Sequence, residues 1–260
     1  MRLLVSVRNL GEARLAARAG VDFIDLKDPA AGALGALPPA RIAEIVAALR
    51  APQAGRPPVL SATTGDLPSD ALDAILAQVS AVAATGVDYV KVGIDGAPAS
   101  RRLLGALAAC DAPVVPVLLA DHGIDASLVH EALALESFAA LMLDTADKGA
   151  GSLLERLPEA ALAAFITTVR QARGGSVGAN VFSGASPRSR ATVRAPLMSG
   201  LAGALRLADL PALRRLQPDF AGFRSAVCGT GRAGPLDPAR LAALCDPAAR
   251  AALVSGAVRV

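Results

Sequence analysis

Three lysines are the residues of this sequence that point most directly to chemistry. The 260-residue chain has 26 lysine and arginine residues, and only Lys27, Lys91 and Lys148 among them are lysines. Arginine stays protonated, whereas lysine can lose its proton and act as a nucleophile or base. Lysines that persist in so arginine-rich a chain are candidates for amine chemistry. The alternative is that three lysines remain by chance.

Carboxylates accompany two of these lysines. Asp25 precedes Lys27 by two residues, a spacing that puts both side chains on one side of a strand, and Asp144 precedes Lys148 by four. One interpretation is structural, with Asp25–Lys27 and Asp144–Lys148 as buried ion pairs. The other is catalytic: a nearby ammonium lowers the pKa of a lysine, whose free amine forms a Schiff base while the carboxylates shuttle protons.

The elements that must position these residues alternate along the chain. Short β-type runs are followed by longer stretches rich in Ala and Leu with a helical period, eight times in succession. The predicted strands are 3–7, 23–27, 59–62, 89–93, 114–119, 140–144, 201–205 and 221–227. The predicted helices are 12–19, 38–49, 68–84, 99–109, 127–136, 158–173, 209–216 and one beginning at Pro238 and reaching 244.

Eight strand–helix pairs in a chain of this length predict a single TIM-type (β/α)8 barrel, forming one catalytic domain over residues 1–260. A doubly wound open sheet is the alternative, but no GxGxxG follows the first strand. Residues 176–199, rich in Ser, Gly and Arg, are predicted to be an irregular insertion between the sixth helix and the seventh strand. Val177–Phe182 could instead form a ninth strand.

The barrel prediction brings the lysines together. Active sites of such barrels lie at the carboxyl ends of the strands, and inward side chains of alternate strands share a layer. Lys27, Lys91 and Asp144 belong to the second, fourth and sixth strands, and Lys148 follows the sixth. We therefore expect all three lysines in one pocket.

A phosphate site is predicted beside them. Barrels often bind phosphate in the loops after the seventh and eighth strands, where glycines let backbone N–H groups approach an anion. The candidates are Gly200, Gly203, Gly222 and an arginine, Arg224 or Arg232. Glycine is also ordinary turn chemistry, so each motif alone is weak. Asp66, after the third strand, either faces the pocket or caps a turn.

Other residues argue against metal and thiol chemistry. The only histidines, His122 and His130, lack the spacing of a helical metal pair, and we interpret His122 as a polar loop residue. The three cysteines are odd in number and form no CxxC, which favours a reducing cytoplasm over a disulfide framework. Cys228 is expected to pack rather than react. We expect no metal and no cofactor.

The composition of the chain argues against several classes of binding partner. With six Phe, one Tyr and no Trp, the chain lacks base-stacking platforms, and the basic residues behind its net charge of +3 are scattered. A nucleic-acid partner is not expected. The first apolar run is too short for a signal peptide, and no run approaches the length of a membrane span. We expect a cytoplasmic protein with a small phosphorylated substrate; a homo-oligomer stays open.

Several segments together resemble one family. DFIDLKDPAAGALGA, DYVKVGI, MLDTADKG, GLAGALR and PDFAGFRSAVCG are similar, in this order, to the (5-formylfuran-3-yl)methyl phosphate synthases, also called 4-(hydroxymethyl)-2-furancarboxaldehyde-phosphate synthases. The resemblance runs from Leu3 to about Leu244 apart from 176–199. It implies a TIM-type barrel that condenses two glyceraldehyde 3-phosphate molecules, with loss of phosphate and water, for methanofuran-type cofactor synthesis.

The resemblance also implies roles for individual residues. The lysine matching Lys27 forms the Schiff base, and the lysine matching Lys91 accepts a proton. The residues matching Asp25, Asp144 and Lys148 also belong to the active site. Three rival functions stay open: a class I aldolase acting on another sugar phosphate, a non-catalytic barrel that binds phosphorylated ligands and, least favoured, an arginine-rich nucleic-acid binder.

Overall fold

Eight parallel strands close into a barrel. The computed structural model describes residues 1–51, 58–175 and 197–246. The strands follow one another around the barrel in chain order, and β8 returns to pair with β1 through Arg2 and Phe220. The closure confirms the predicted (β/α)8 barrel and excludes the open doubly wound sheet. The strands are β1 (Arg2–Val7), β2 (Phe23–Leu26), β3 (Val59–Thr63), β4 (Tyr89–Ile94), β5 (Val114–Leu119), β6 (Ala140–Asp144), β7 (Met198–Leu201) and β8 (Phe220–Phe223).

Helices separate the strands and begin at local sequence signals. The Asn9 and Asp237 side chains cap the first and last helices, and Pro39 occupies the first turn of the second. The helices are α1 (Leu10–Arg18), α2 (Pro39–Arg50), α3 (Leu72–Ala83), α4 (Ser100–Ala108), α5 (Ala126–Ala134), α6 (Leu153–Arg156), α7 (Glu159–Gly175), α8 (Leu210–Leu216) and α9 (Pro238–Cys245). The one-turn helix α6 was not predicted. Among these helices of the described ranges, none is long and apolar enough to cross a membrane.

The two last strands differ from the prediction. We expected strand seven at 201–205, but β7 ends at Leu201, because Gly203 and Ala204 take positive φ angles of 108° and 47° that an extended strand does not allow. We expected strand eight to reach residue 227, but β8 ends at Phe223. The chain leaves the sheet at Arg224 and forms a 3-10 turn over Ser225–Val227.

The predicted insertion can be described only in part. Its last residues, Met198 and Ser199, are the start of β7, so the insertion is shorter at this end than expected. Residues 176–196 of the insertion, including the alternative ninth strand at Val177–Phe182, lie outside the described residues.

The inner face of the barrel changes from apolar to polar along the strands. Near the amino ends, Leu4, Phe23, Met142 and Phe220 belong to one buried apolar cluster. Because every second residue of a strand points to the same face, the inward positions that follow these floor residues hold polar side chains. Ser6 follows Leu4, Asp25 follows Phe23, and Asp144 follows Met142. An apolar floor thus supports a polar layer at the carboxyl ends.

Candidate active site

All three lysines of the chain line one cavity at the carboxyl end of the barrel. Lys27, Lys91 and Lys148 face it together with Asp144. Lys27 and Lys91 are 4% and 3% exposed, so both amines lie largely out of bulk water. The structure therefore brings together the residues that the strand pattern placed in one pocket. Gly203, Gly222, Arg224 and Arg232 line the same cavity.

Asp25 is the buried anion beneath the amines. Its Oδ2 lies 3.0 Å from Lys91 Nζ and accepts a hydrogen bond of 3.0 Å from the Ser6 hydroxyl, while Ser61 donates to Oδ1 at 2.7 Å. Burial by itself would raise the pKa of Asp25, but the charges of Lys91 and Lys27 and the hydrogen bonds from Ser61 and Lys91 outweigh it and lower the pKa. Asp25 therefore stays ionised and holds Lys91.

The structural alternative considered for Asp25 was wrong in its partner. We considered a direct Asp25–Lys27 ion pair, but the close contact of Asp25 is with Lys91, two strands away. The strand ends at Leu26, so Lys27 lies just beyond it, and its Nζ donates to the Ala33 carbonyl oxygen at 2.6 Å. Asp25 acts on Lys27 as a nearby charge.

Lys27 is an amine whose pKa lies well below that of an ordinary lysine. Burial lowers its pKa, Asp144 and Asp25 raise it, and the ammonium groups of Lys91 and Lys148 lower it, with a net value of about 7. An ordinary lysine is protonated at neutral pH, whereas a group with this pKa is a free amine in a large fraction of molecules. Lys27 can therefore act as a nucleophile near pH 7.

Asp144 and Lys148 form the second carboxylate–amine pair, as the sequence suggested. Lys148 Nζ contacts Asp144 Oδ1, which also accepts from the Thr145 backbone N–H at 2.8 Å. Asp144 ends β6, and Lys148 lies in the loop that follows. Its side chain is 12% exposed, the most open of the three amines, which places it between the buried layer and the cavity mouth.

The contacts of Arg224 do not match the phosphate-binding role that we predicted for it. Its five N–H donors all have protein acceptors: Nη1 and Nη2 bind Glu12 at 2.6 and 3.3 Å, Nη1 also binds the Ser6 carbonyl, Nη2 the Gly234 carbonyl and Nε the Arg232 carbonyl. The side chain is buried and fully engaged. It fixes Ser6, the residue that holds Asp25.

Arg232, the other candidate for phosphate, also donates to the protein. Its Nη1 binds the Pro29 carbonyl at 2.8 Å, and its Nη2 binds the carbonyls of Gly32 at 2.7 Å and Ala33 at 3.1 Å. All three acceptors lie in the loop after β2. The guanidinium therefore joins the β8 and β2 loops over the cavity that it lines.

The predicted phosphate-site glycines separate into two groups. Gly203 and Gly222 line the cavity with Arg224 and the lysines. Gly200 does not line it: a Cβ added there would collide with the Phe220 ring, so this glycine makes room for the aromatic floor of the barrel. Gly200 thus has a packing role in place of the predicted anion contact.

Asp66 holds a loop and does not face the cavity. Its Oδ1 accepts from the Leu34 backbone N–H at 2.8 Å, and the side chain is exposed. Of the two roles considered, the turn role is the one that the contacts support. Cys228 is fully buried, and its thiol pKa is raised by burial, as expected for a packing residue. His122 is an exposed loop residue.

Sequence reasoning missed Ser6, Ser61 and Glu12. Ser6 lines the cavity, whereas Ser61 and Glu12 support the site from outside it. The two serines are inward polar residues in strands whose side chains are mostly aliphatic, and that pattern could have identified them. No comparable signal marks Glu12, because its buried pairing with Arg224 joins residues at opposite ends of the chain. In the described ranges, no group of three His, Cys, Asp or Glu residues could hold a metal ion.

Fold and site together define a class of protein: a parallel (β/α)8 barrel with a buried cluster of amines and carboxylates at the carboxyl ends of its strands. The sequence profile of the 4-HFC-P synthase family matches residues 3–177 and 188–245. The chain therefore belongs to the 4-HFC-P synthase family. The stretch between these two matched ranges lies within the segment that we predicted to be an insertion.

Individual relatives agree with this assignment. A protein of Methylorubrum extorquens, provisionally named a (5-formylfuran-3-yl)methyl phosphate synthase, is 39% identical over 93% of this chain and 89% of its own. The (5-formylfuran-3-yl)methyl phosphate synthase of Methanopyrus kandleri is 32% identical over 88% of this chain and 90% of its own. The phosphoribosyl anthranilate isomerase of Thermus thermophilus, a solved structure, covers 97% of this chain and 100% of its own with a TM-score of 0.61 and 18% identity, a similarity of fold alone.

Proposed function

We propose that this protein is a lyase that condenses two glyceraldehyde 3-phosphate molecules to (5-formylfuran-3-yl)methyl phosphate through a Schiff base on Lys27. The observation that carries the proposal is a buried primary amine with a pKa of about 7, flanked by two carboxylates and two further amines. Family membership supports the product, since relatives carry this synthase name. The lysine chemistry is argued from the site.

The first steps use the two most buried amines. The Lys27 nitrogen attacks the aldehyde carbon of one substrate, and loss of water gives a protonated imine. The imine draws electrons from the adjacent C–H bond. Lys91 first passes a proton from its ammonium to the Asp25 carboxylate beside it, and its free amine then accepts the proton released from that bond. The resulting enamine carbon attacks the aldehyde of the second substrate and forms the new carbon–carbon bond.

The later steps remove oxygen. Forming the furan from two triose phosphates releases one inorganic phosphate and, over the whole reaction, two water molecules, and the Lys27 nitrogen is freed when the imine is resolved. Departing hydroxyl and phosphate groups need protons, and Asp144 and Lys148 lie at the cavity in contact with one another. We assign these proton transfers to that pair together with Asp25.

Anionic ends of the substrate meet the β7 and β8 loops in this proposal. Gly203, in the loop after β7, and Gly222, within β8, line the cavity at this end of the barrel, where a backbone without side chains lets N–H groups approach a phosphate. Lys148 adds a positive charge at the mouth. Arg224 contributes by holding the site together, since its donors already have protein acceptors.

Two rival functions share parts of this site. A class I aldolase would also use Lys27 but would release or cleave a linear product, and a non-catalytic barrel would bind phosphorylated ligands without turnover or lysine adduct. The lowered pKa of Lys27 favours catalysis over simple binding, because an anion-binding lysine is better protonated.

Product analysis tests the proposal. Purified protein incubated with glyceraldehyde 3-phosphate should generate furan absorbance, a product with the mass of the furan phosphate, and inorganic phosphate. Lys27→Ala, checked for folding by circular dichroism, should generate none of them. A linear condensation product would support the aldolase alternative, and binding without turnover would support the ligand-binding barrel.

The cellular setting is part of the same proposal. We propose that the protein acts in the cytoplasm, supplying a furan for a methanofuran-type cofactor, with a small phosphorylated substrate and no nucleic-acid or membrane partner. Cys110 and Cys228 are free thiols, which suits a reducing compartment.

A further inference from the structure

We infer that Arg232 is a positioning residue for Lys27: it holds the Ala33 carbonyl that receives the lysine amine, and its positive charge, bound to the same oxygen, opposes an ammonium at Lys27. The geometry of this arrangement is independent of the reaction, whereas its consequence for turnover rests on the proposed Schiff-base function.

One carbonyl oxygen joins the two residues. Lys27 Nζ donates to the Ala33 oxygen at 2.6 Å, and Arg232 Nη2 donates to the same oxygen at 3.1 Å. A carbonyl has two acceptor lone pairs, so both donors fit. Arg232 also binds the carbonyls of Gly32 and Pro29, and the loop that presents Ala33 is therefore held at three points by one side chain.

Arg232 is itself anchored. Its backbone carbonyl accepts from Arg224 Nε at 2.9 Å, and Arg224 is bound through its other nitrogens to the buried Glu12 carboxylate. The Ala33 loop is held from its other side by Asp66, which binds the Leu34 N–H. A continuous set of hydrogen bonds thus runs from the end of β8 to the acceptor of the Lys27 amine.

This arrangement favours an amine over an ammonium at Lys27. A neutral amine has two N–H donors and keeps a lone pair for attack, whereas an ammonium has three donors to satisfy and no lone pair. A guanidinium bound to the same carbonyl opposes a second positive charge beside it. The other charged groups around Lys27 are Asp25 on β2, Lys91 on β4, Asp144 at the end of β6, Lys148 in the loop that follows and Arg224 after β8.

Substrate-free labelling tests the inference. Competitive acetylation with acetic anhydride, followed by peptide mapping, gives the pH midpoint at which the Lys27 amine becomes reactive. Arg232→Gln removes the charge but keeps amide donors, and its midpoint should rise by about one pH unit, with several-fold less labelling at pH 7. Arg232→Lys keeps the charge, and its midpoint should stay close to wild type.

Asp66→Ala is the matched control for loosening of the loop, because it removes the Leu34 contact and leaves the Arg232 charge in place. Its midpoint should not rise. An unchanged midpoint in Arg232→Gln, equal shifts in Arg232→Gln and Arg232→Lys, or the same rise in Asp66→Ala would each overturn the inference. Borohydride trapping of wild type with glyceraldehyde 3-phosphate tests the proposed function separately: absence of an adduct would remove the function and leave the labelling result intact.

Discussion

Lys91 Nζ lies 3.0 Å from Asp25 Oδ2, although the two residues belong to β4 and β2, which are separated in the barrel by β3. The intervening strand takes part, since Ser61 of β3 donates to the other carboxylate oxygen. Inward side chains of alternate strands therefore meet at one level. This contact makes Asp25 the central anion of the lysine cluster.

Removing the charge of Asp25 should destabilise the protein. Asp25→Asn keeps a group of similar shape but leaves the Lys91 ammonium buried without its partner, so we expect a loss of about 3 kcal/mol in the free energy of unfolding. Urea unfolding followed by circular dichroism measures it. Activity should fall together with stability, because Lys91 loses the counter-ion that holds it.

A double variant shows whether the loss of unfolding free energy comes from the Asp25–Lys91 ion pair. Asp25→Asn combined with Lys91→Met removes both charges and should recover much of the stability, because an apolar replacement leaves no unpaired cation. Additive losses would contradict direct coupling. Glu44→Gln, which breaks an exposed pair with Arg41, is the control and should have little effect.

The lowered pKa of Lys27 predicts a pH dependence of stability. The Lys27 amine binds its proton with a pKa of 10.5 in the unfolded chain and with a pKa of about 7 in the folded protein. Below about pH 7, Lys27 is charged in both states, and burying that charge lowers the free energy of unfolding by its full amount. This destabilisation disappears as pH rises from 7 to 10.5. Lys27→Met should be more stable than wild type at low pH, with a difference that shrinks over that range.

Unfolding measurements at several pH values check this prediction. Arg215→Gln, which alters an exposed pair with Glu159, should show no such trend relative to wild type. A stability difference between Lys27→Met and wild type that stays constant from pH 7 to 10.5 would contradict the lowered pKa.

Two glycines should respond differently to the same substitution. Gly200→Ala places a methyl group against the Phe220 ring and should cost about 1–3 kcal/mol of stability. Gly203→Ala acts at the cavity, where φ is +108°, and should raise KM for the phosphorylated substrate as well as lower stability. Gly105→Ala on α4, with open space around it, is the control and should be neutral or stabilising. A larger KM effect at Gly200 than at Gly203 would reverse the assignment.

Arg224 should behave as a structural residue. Arg224→Gln leaves the Glu12 carboxylate without its buried cation, with only the more exposed Arg8 still paired to it, and frees the Gly234 and Arg232 carbonyls, so we expect a loss of several kcal/mol in unfolding free energy. Glu12→Gln, at a residue that does not line the cavity, should produce a similar loss. Loss of substrate affinity with unchanged stability would instead support the phosphate contact predicted from the sequence.

The sequence allowed the barrel to be predicted because its signals are local. Strand and helix periods and the end of β6 at Asp144 depend on nearby residues, and the alternate-strand rule then placed the three lysines together. Strands seven and eight were misplaced because Gly203, Ala204 and Arg224 leave the extended conformation for reasons that residue type does not reveal.

The partners within the site depend on distant contacts. Sequence spacing suggested an ion pair between Asp25 and Lys27. In the barrel, Asp25 instead pairs with Lys91 across β3, and the Lys27 amine donates to the Ala33 carbonyl in the loop after β2. Arg224 and Arg232 looked like phosphate ligands because they follow β8. Only the fold shows that Glu12 and the 29–33 loop supply their acceptors.

Borohydride trapping tests the central proposal most directly. Reduction of the protein in the presence of glyceraldehyde 3-phosphate should leave a stable adduct that peptide mapping assigns to Lys27, and the adduct should be absent in Lys27→Ala and in Lys27→Arg, whose guanidinium does not form the imine. Both variants should be inactive. An adduct on Lys91 or Lys148 alone, or retained activity in Lys27→Arg, would contradict the account.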